Sequence, residues 1–165
     1  MKLLWIAAGL LSVAGAAHAD VQVKFVNPDK FTDILDNDGF RQSTTVLNDL
    51  QAYLVKQTEK RLPGRTVLYE VTDVDLAGQL EPVARRGDWL RVMRSITSPA
   101  ITMRYVVKDG DKVVKQGDVR LRDMNYQEGG GGVAFSSDPL RYEKHMLDRW
   151  MQQEFSPLVA AAASH

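Results

Sequence analysis

The sequence contains no cysteine and only three histidines among its 165 residues. Without cysteine, the chain forms no disulfide bond and lacks the attachment residue of a bacterial lipoprotein. His18 and His165 lie near the ends of the chain, so His145 is the one histidine of the expected folded domain. A typical zinc site needs several cysteine or histidine ligands. We therefore expect a domain that is stabilised by its packed core, with no metal site and no cofactor.

An excess of charge of one sign is also missing. Lysine and arginine together number 21, and so do aspartate and glutamate, with both signs spread along the chain. Nucleic-acid-binding proteins usually carry a basic surface that neutralises phosphates, so we expect no nucleic-acid partner. The chain also lacks a Gly-x-Ser-x-Gly elbow, a phosphate-binding loop and a dinucleotide fingerprint. These absences favour a binding protein over an enzyme.

The longest hydrophobic run stands at the start of the chain. Residues 3–17 are apolar apart from Ser12, follow Lys2, and lead into Ala17-His18-Ala19. A positive start, a short apolar segment and small residues at the −3 and −1 positions are typical of a cleavable secretory signal. A membrane-spanning helix needs about 20 apolar residues, and no second run follows. We therefore predict that residues 1–19 form a signal peptide, and that the mature chain is periplasmic with no transmembrane segment.

The remaining sequence predicts one α+β domain over residues 20–156, with a flexible tail over residues 157–165. Alternating apolar and polar residues indicate strands, and apolar residues at helical spacing indicate helices. The expected elements are strands at 21–26, 66–74, 90–96, 101–107 and 113–122, and helices at 45–62 and 139–155. Because a helix connects the first two strands, these should be parallel. We predict a two-layer sandwich, with a four- or five-stranded mixed sheet and two helices packed on one face.

Three loops are longer than the packing of a small domain requires, and such loops are usually functional or disordered. They cover residues 27–42, 75–99 and 123–137. In the first loop, Asp36-Asn37-Asp38-Gly39 resembles the centre of a calcium-binding loop, but Ile34 and Thr45 stand where its terminal carboxylates should be. We interpret this segment as an acidic turn, with calcium binding as the alternative.

Two aspartates at the end of the second strand are candidates for a site. Alternation along a strand places Asp73 and Asp75 on the same side, where they can share a cation or meet a basic partner. Arg85 and Arg86 are the expected basic partners, and Trp89 lies in the same loop. A surface ion-pair cluster, which contributes only about 0–1 kcal/mol, is the competing interpretation. As a hypothesis we assign these five residues to binding, and we assign no catalytic residue and no metal ligand.

A run of four glycines, at residues 129–132, stands between Tyr126 and Phe135. Such a run is by itself a flexible linker, although it also allows a close approach to a ligand. We expect the two aromatic side chains to be exposed and to form a lip that binds a partner. Tyr126 and Phe135 are therefore added to the candidate binding residues.

Four segments together are similar to a known family. They are residues 25–33 (FVNPDKFTD), 72–78 (TDVDLAG), 88–89 (DW), and 140–144 (LRYEK) followed by Met146, Leu147 and Trp150. On these residues the chain resembles a family of short exported proteobacterial proteins, classified as domain of unknown function number three thousand and sixteen. The resemblance implies an envelope protein and supplies no catalytic residue.

From these observations we predict a non-enzymatic binding or protein-interaction module of the cell envelope, with an envelope protein as its partner. The alternative is a cation-dependent hydrolase or metal-binding protein that uses Asp73, Asp75 and either Asp33 or Asp38. The sequence leads to no prediction about the oligomeric state.

Overall fold

The computed structural model of the protein describes residues 19–34, 43–83, 89–128 and 132–163. These residues form six β-strands and two α-helices. In chain order they are β1 (Asp20–Phe25), α1 (Thr44–Arg61), β2 (Thr66–Asp75), β3 (Gln79–Pro82), β4 (Trp89–Val92), β5 (Ala100–Asp109), β6 (Lys112–Arg122) and α2 (Arg141–Ala163). The predicted signal segment, apart from Ala19, lies outside the described residues.

Four strands form one mixed sheet in the order β1-β2-β5-β6. β1 and β2 are parallel, whereas β5 is antiparallel to both of its neighbours, β2 and β6. A parallel pair needs a crossover connection, and α1 supplies it. α1 begins after Ser43, whose hydroxyl oxygen accepts a hydrogen bond of 3.2 Å from the Val46 N–H. The predicted parallel pair is therefore confirmed.

β5 and β6 form the hairpin that the alternating pattern predicts. Gly110 stands in the turn with a φ of +56°, a conformation that glycine adopts without steric strain. The side chains of Ile101, Met103 and Tyr105 on one face of β5 are buried. The hairpin thus supplies two of the four strands of the main sheet and one apolar face.

β3 and β4 pair antiparallel in a separate two-stranded sheet. Of these, only a strand at 90–96 is expected from the sequence, whereas β4 begins at Trp89 and ends at Val92. β3 is missed by sequence reasoning, because it has four residues and ends in Pro82, so neither its length nor an alternating pattern indicates a strand. The expected four- or five-stranded sheet is therefore a four-stranded sheet with an additional hairpin.

The hydrophobic core lies between one face of the main sheet and the two helices. α1 contacts β1, α2 contacts β6, and the two helices contact each other, as in the predicted two-layer α+β sandwich. The core includes Leu50 and Leu54 of α1, Met103 and Tyr105 of β5, and Leu147 and Trp150 of α2.

α2 extends beyond its predicted end. The sequence predicts that this helix ends at Phe155 and that a flexible tail begins at residue 157. In the structure, α2 continues through Pro157 to Ala163. Leu158 packs against the core, and alanine has the highest helix propensity. These two factors outweigh the backbone hydrogen bond that Pro157 removes. The limits of the domain stay a prediction.

Neither helix, over the part of the chain that the structure describes, is long and apolar enough to cross a membrane.

Gly78, just before β3, packs closely against the end of β4. Its φ is +82°, and a Cβ atom there would lie 2.8 Å from both the Val92 carbonyl oxygen and the Met93 Sδ. Gly110 also has a positive φ, but no atom of the described residues other than those of Gly110 and its two chain neighbours lies within 4 Å of the position that its Cβ would take. Alanine incurs left-handed strain of about 1–2 kcal/mol at either position. At position 78 it also displaces main-chain atoms of β4.

We therefore expect Gly78→Ala to lower the free energy of unfolding clearly more than Gly110→Ala does, as measured by urea denaturation. Gly110→Ala is the matched control, because the two positions share the backbone strain and differ in their surroundings. Equal losses for the two variants would contradict the close packing of Gly78 against β4.

Candidate functional site

A cavity of about 410 Å³ opens between the main sheet and the β3–β4 hairpin. We call it the Asp75 cleft. The ends of β2 and β6 contribute to it from the main sheet, and β3, β4 and the segment before β5 form its other walls. Its lining includes Asp33, Asp75, Leu80, Trp89, Ile96, Ser98 and Arg122.

The ends of two strands bring opposite charges into the cleft. Asp75 ends β2 and is in register with Ala100 of β5, which is in register with Arg122 at the end of β6. Residues in register project from the same face of an antiparallel sheet. Val74 and Ile101, the neighbouring pair, are buried in the core. Asp75 and Arg122 therefore project from the face that is turned away from the helices.

A β-bulge in β2 determines which way the two aspartates point. The register between β2 and β5 shifts between Val71 and Asp73, so Thr72 is an extra residue without a partner in β5. After the bulge, Val74 faces the core, and Asp73 and Asp75 are on the opposite face. The two aspartates thus lie on one side of the sheet, as alternation predicts.

The Asp73 carboxylate is hydrogen-bonded to Thr32. Its Oδ1 accepts a hydrogen bond of 2.7 Å from the Thr32 N–H, and its Oδ2 accepts one of 2.9 Å from the Thr32 hydroxyl. Both carboxylate oxygens therefore hold the segment that follows the short 3-10 helix Pro28–Lys30.

Asp33 is paired with Arg91 of β4. The Arg91 Nη1 lies 2.6 Å from the Asp33 Oδ2, and the Arg91 Nη2 lies 3.2 Å from the Asp33 Oδ1. Both side chains are less than one fifth exposed, at 16% and 19%. The expected partners of the aspartates, Arg85 and Arg86, lie outside the described residues. Arg91 was not predicted as a partner of the aspartates. It stands two residues after Trp89 in β4, so both side chains lie on the same face of the strand.

Asp75 lines the cleft as a partly buried carboxylate. Burial raises its pKa, and the negative charges of Asp33 and Asp73 raise it further, while Arg122 and Arg91 oppose this shift. The Arg122 Nε donates a hydrogen bond of 2.8 Å to the Ser98 hydroxyl. Within the described ranges, neither the Asp75 carboxylate nor the two terminal nitrogens of Arg122 make a hydrogen bond or an ion pair.

Apolar side chains form another part of the cleft. Trp89 is half-buried and lines the cavity together with Leu76 and Leu80. Ile96 lines it as well and is 80% exposed. The cleft therefore combines separated charges with an apolar surface, and it brings together two of the predicted binding residues, Asp75 and Trp89.

Glu143 of α2 anchors the segment that leads into the small hairpin. Its Oε1 accepts a hydrogen bond of 2.7 Å from the Ala77 N–H, while its Oε2 is buried with no hydrogen-bond partner in the described part of the chain. Burial raises the pKa of Glu143, against the effects of the Ala77 N–H, its own N–H, and the charges of Arg91 and Arg141. Sequence reasoning missed this role, because a glutamate in the first turn of a helix is ordinary.

The two predicted aromatic residues do not form a common lip. Phe135 is 92% exposed, as expected, but Tyr126 is buried, so the prediction that Tyr126 is exposed is wrong. Its ring contacts the Tyr142 ring at 4.7 Å, and its hydroxyl donates a hydrogen bond of 2.8 Å to the Arg94 carbonyl oxygen. A tyrosine is readily buried when its hydroxyl finds such an acceptor. Of the glycine run, only Gly132 is described, and it lines a different cavity, next to Lys144 and His145.

The predicted alternative requires a cation site. Asp33, Asp73 and Asp75 are close enough to influence one another electrostatically. In the described parts of the chain, however, no group of three or more histidine, cysteine, aspartate and glutamate side chains has an arrangement that could hold a metal ion. Asp36 and Asp38 lie outside these parts.

Comparison with protein families gives one match, over residues 19–153, to a family described as Protein of unknown function (DUF3016). The chain belongs to the DUF3016 family. The family predicted from the four sequence segments is therefore confirmed, and the matched range contains both the Asp75 cleft and Glu143. No curated protein and no solved structure matches the chain.

Asp73 and Asp75 should respond differently to the loss of charge. We expect Asp73→Asn to lower the free energy of unfolding by about 1 kcal/mol, because an asparagine cannot accept both hydrogen bonds from Thr32. Asp75→Asn should leave this free energy unchanged or raise it, because it removes repulsion from Asp33 and Asp73. Urea denaturation at pH 7 measures both. A larger loss for Asp75→Asn than for Asp73→Asn would mean that Asp75 is mainly structural.

The stability of the fold should depend on the protonation of Glu143. Its pKa in the folded chain lies above the ordinary value of 4.5, so the folded state retains a proton that the unfolded chain has released. The contribution of neutral Glu143 is fully present below pH 4.5 and is lost as the pH rises through the pKa of the folded state. Because Glu143→Gln keeps a neutral acceptor for the Ala77 N–H, we expect this variant to gain stability over the wild type between pH 4.5 and neutral pH.

Urea denaturation at a series of pH values measures this difference. Glu143→Leu is the contrasting variant, since it leaves the Ala77 N–H buried without an acceptor and should cost about 1–3 kcal/mol relative to Glu143→Gln at every pH. A constant difference between wild type and Glu143→Gln over the whole pH range would contradict the proposed protonation.

Proposed function

We propose that this protein is exported to the periplasm and acts there as a non-enzymatic binding or protein-interaction module of the cell envelope. The Asp75 cleft is its contact site. The observation that carries the proposal is the position of Asp75 and Arg122, whose opposite charges line one ligand-sized cavity at the same end of the main sheet.

The charges of the cleft support recognition by complementarity. Asp33 lines the cleft and is fixed by Arg91, and Asp73, which does not line the cavity, is fixed by Thr32, so both carboxylates have defined positions. Charges in fixed positions select a partner of matching charge and orient it.

The apolar part of the cleft supports contact with a partner that also buries apolar surface. Ile96 extends into solvent beside Trp89, and burial of such a side chain by a partner is favourable by roughly 1.5–3 kcal/mol when it is complete.

The start of the domain supports export. β1 begins at Asp20, directly after the Ala17-His18-Ala19 motif at which the signal is expected to be cleaved. Cleavage after Ala19 would therefore leave every described strand and helix intact.

Site-specific photo-crosslinking in cells tests the proposal. The full chain carries a photoreactive phenylalanine analogue at position 96 in the cleft, or at position 113 as a control. Val113 is 44% exposed and stands at the opposite end of β6 from Arg122. We expect an adduct in the periplasmic fraction from position 96 only, on a chain whose mass corresponds to a start at Asp20.

The adduct should disappear in an Asp75→Asn or Arg122→Gln background, while circular dichroism shows that both variants are folded. Retention of residues 1–19 on a cytoplasmic chain would overturn the proposed location. An adduct that forms equally from positions 96 and 113, or that survives both substitutions, would overturn the assignment of the cleft.

A further inference from the structure

The Asp75 cleft presents one negative and one positive group that do not neutralise each other directly. Asp75 and Arg122 stand on either side of Ala100 in the same row of the sheet. Two strand spacings of about 4.8 Å each place their Cα atoms about 10 Å apart. Both residues line the same cavity.

This pair of charges discriminates against ligands that carry a single charge. A simple cation that approaches Asp75 meets the guanidinium of Arg122, and a simple anion that approaches Arg122 meets the carboxylates of Asp75 and Asp33. A ligand with both charges gains at both ends. Arginine also matches the planar geometry of a carboxylate, to which it can donate two parallel hydrogen bonds.

We infer that the Asp75 cleft binds a zwitterion of the amino-acid type, with its α-ammonium group at Asp75 and its carboxylate at Arg122. The ligand is a free amino acid or a short peptide with free termini. An apolar or aromatic side chain of the ligand lies against Trp89 and Ile96. This inference rests on the proposed function, since it names the ligand of the same cleft.

The surroundings of the two charges fit this assignment. Asp33 lines the same cavity, but its charge is balanced by its ion pair with Arg91, so Asp75 is left to bind the ammonium group. Ser98 accepts the hydrogen bond of the Arg122 Nε, and the two terminal nitrogens make no hydrogen bond to a described residue. A volume of about 410 Å³ lies within the range of small-molecule sites.

Titration calorimetry with the folded mature chain tests the inference. The probes are L-phenylalanine, N-acetyl-L-phenylalanine, L-phenylalanine amide and the dipeptide L-phenylalanyl-L-alanine. We expect L-phenylalanine or the dipeptide to bind. Loss of either charge from L-phenylalanine should weaken its binding at least about tenfold, since each contact is a charge-assisted hydrogen bond. Tighter binding of the dipeptide supports a short peptide as the ligand, and tighter binding of L-phenylalanine supports a free amino acid.

Substitutions in the protein should match the changes in the ligand. Asp75→Asn should weaken the binding of L-phenylalanine at least about tenfold. It should leave the binding of N-acetyl-L-phenylalanine unchanged, because that probe has no ammonium group. Arg122→Gln should weaken the binding of L-phenylalanine and leave the binding of L-phenylalanine amide unchanged, because the amide has no carboxylate. Asp118→Asn and Arg120→Gln are matched controls, since both residues are exposed on β6 outside the cleft, and they should bind as the wild type does.

Two results would overturn the inference. One is binding of the blocked probes as tight as that of L-phenylalanine, and the other is no binding of any probe to a chain that circular dichroism shows to be folded. In either case the proposed function would stand if the crosslink from position 96 still required Asp75. If the crosslink from position 96 did not require Asp75, the proposed function would be overturned as well.

Discussion

Arg91 and Asp33 hold the β3–β4 hairpin against the main sheet through two hydrogen bonds between a guanidinium and a carboxylate. Asp33 is in turn fixed to β2, because its N–H donates to the Val74 carbonyl oxygen and its carbonyl oxygen accepts from the Leu76 N–H. The pair is largely removed from solvent, so losing one partner would leave an uncompensated charge. The pair therefore helps to set the position of the hairpin, which forms one wall of the Asp75 cleft.

Glu143 of α2 also holds the segment that leads into the β3–β4 hairpin. Its role in the structure differs from that of Asp75. Burial raises the pKa of both carboxyl groups, so the charged form of each is less favourable in the fold than in water. Glu143 has a structural reason for its position, the hydrogen bond to the Ala77 N–H. Among the described residues, no such bond accounts for the position of Asp75. Groups whose unfavourable position the fold does not explain are concentrated at functional sites, and this distinction is the basis for centring the site on Asp75.

Periodicity was sufficient to predict the main layers of the fold from sequence. The heptad-like spacing of α1 and the alternation in β5 and β6 each depend on burial of one face, so the pattern is visible in the residues themselves. β3 escaped this reading because four residues are too few to show a period. The burial of Tyr126 and the pairing of Arg91 with Asp33 depend on partners far away in the chain, and no local pattern contains them. Asp75 and Trp89 could be named in advance, whereas Arg122 could not, because only the register of β2, β5 and β6 brings it to them.

The β-bulge at Thr72 links the packing of the core to the geometry of the site. Without the extra residue, the alternation that buries Val67, Tyr69 and Val71 would continue to Asp73 and Asp75 and would direct two carboxylates into the core. With it, Val74 fills the core position and both aspartates face the cleft side of the sheet. Burial of an unpaired carboxylate is strongly unfavourable, so the register after the bulge is defined by the core itself. The position of Asp75 relative to Arg122 is therefore as rigid as the packing of the sheet, which is the property that recognition by two separated charges requires.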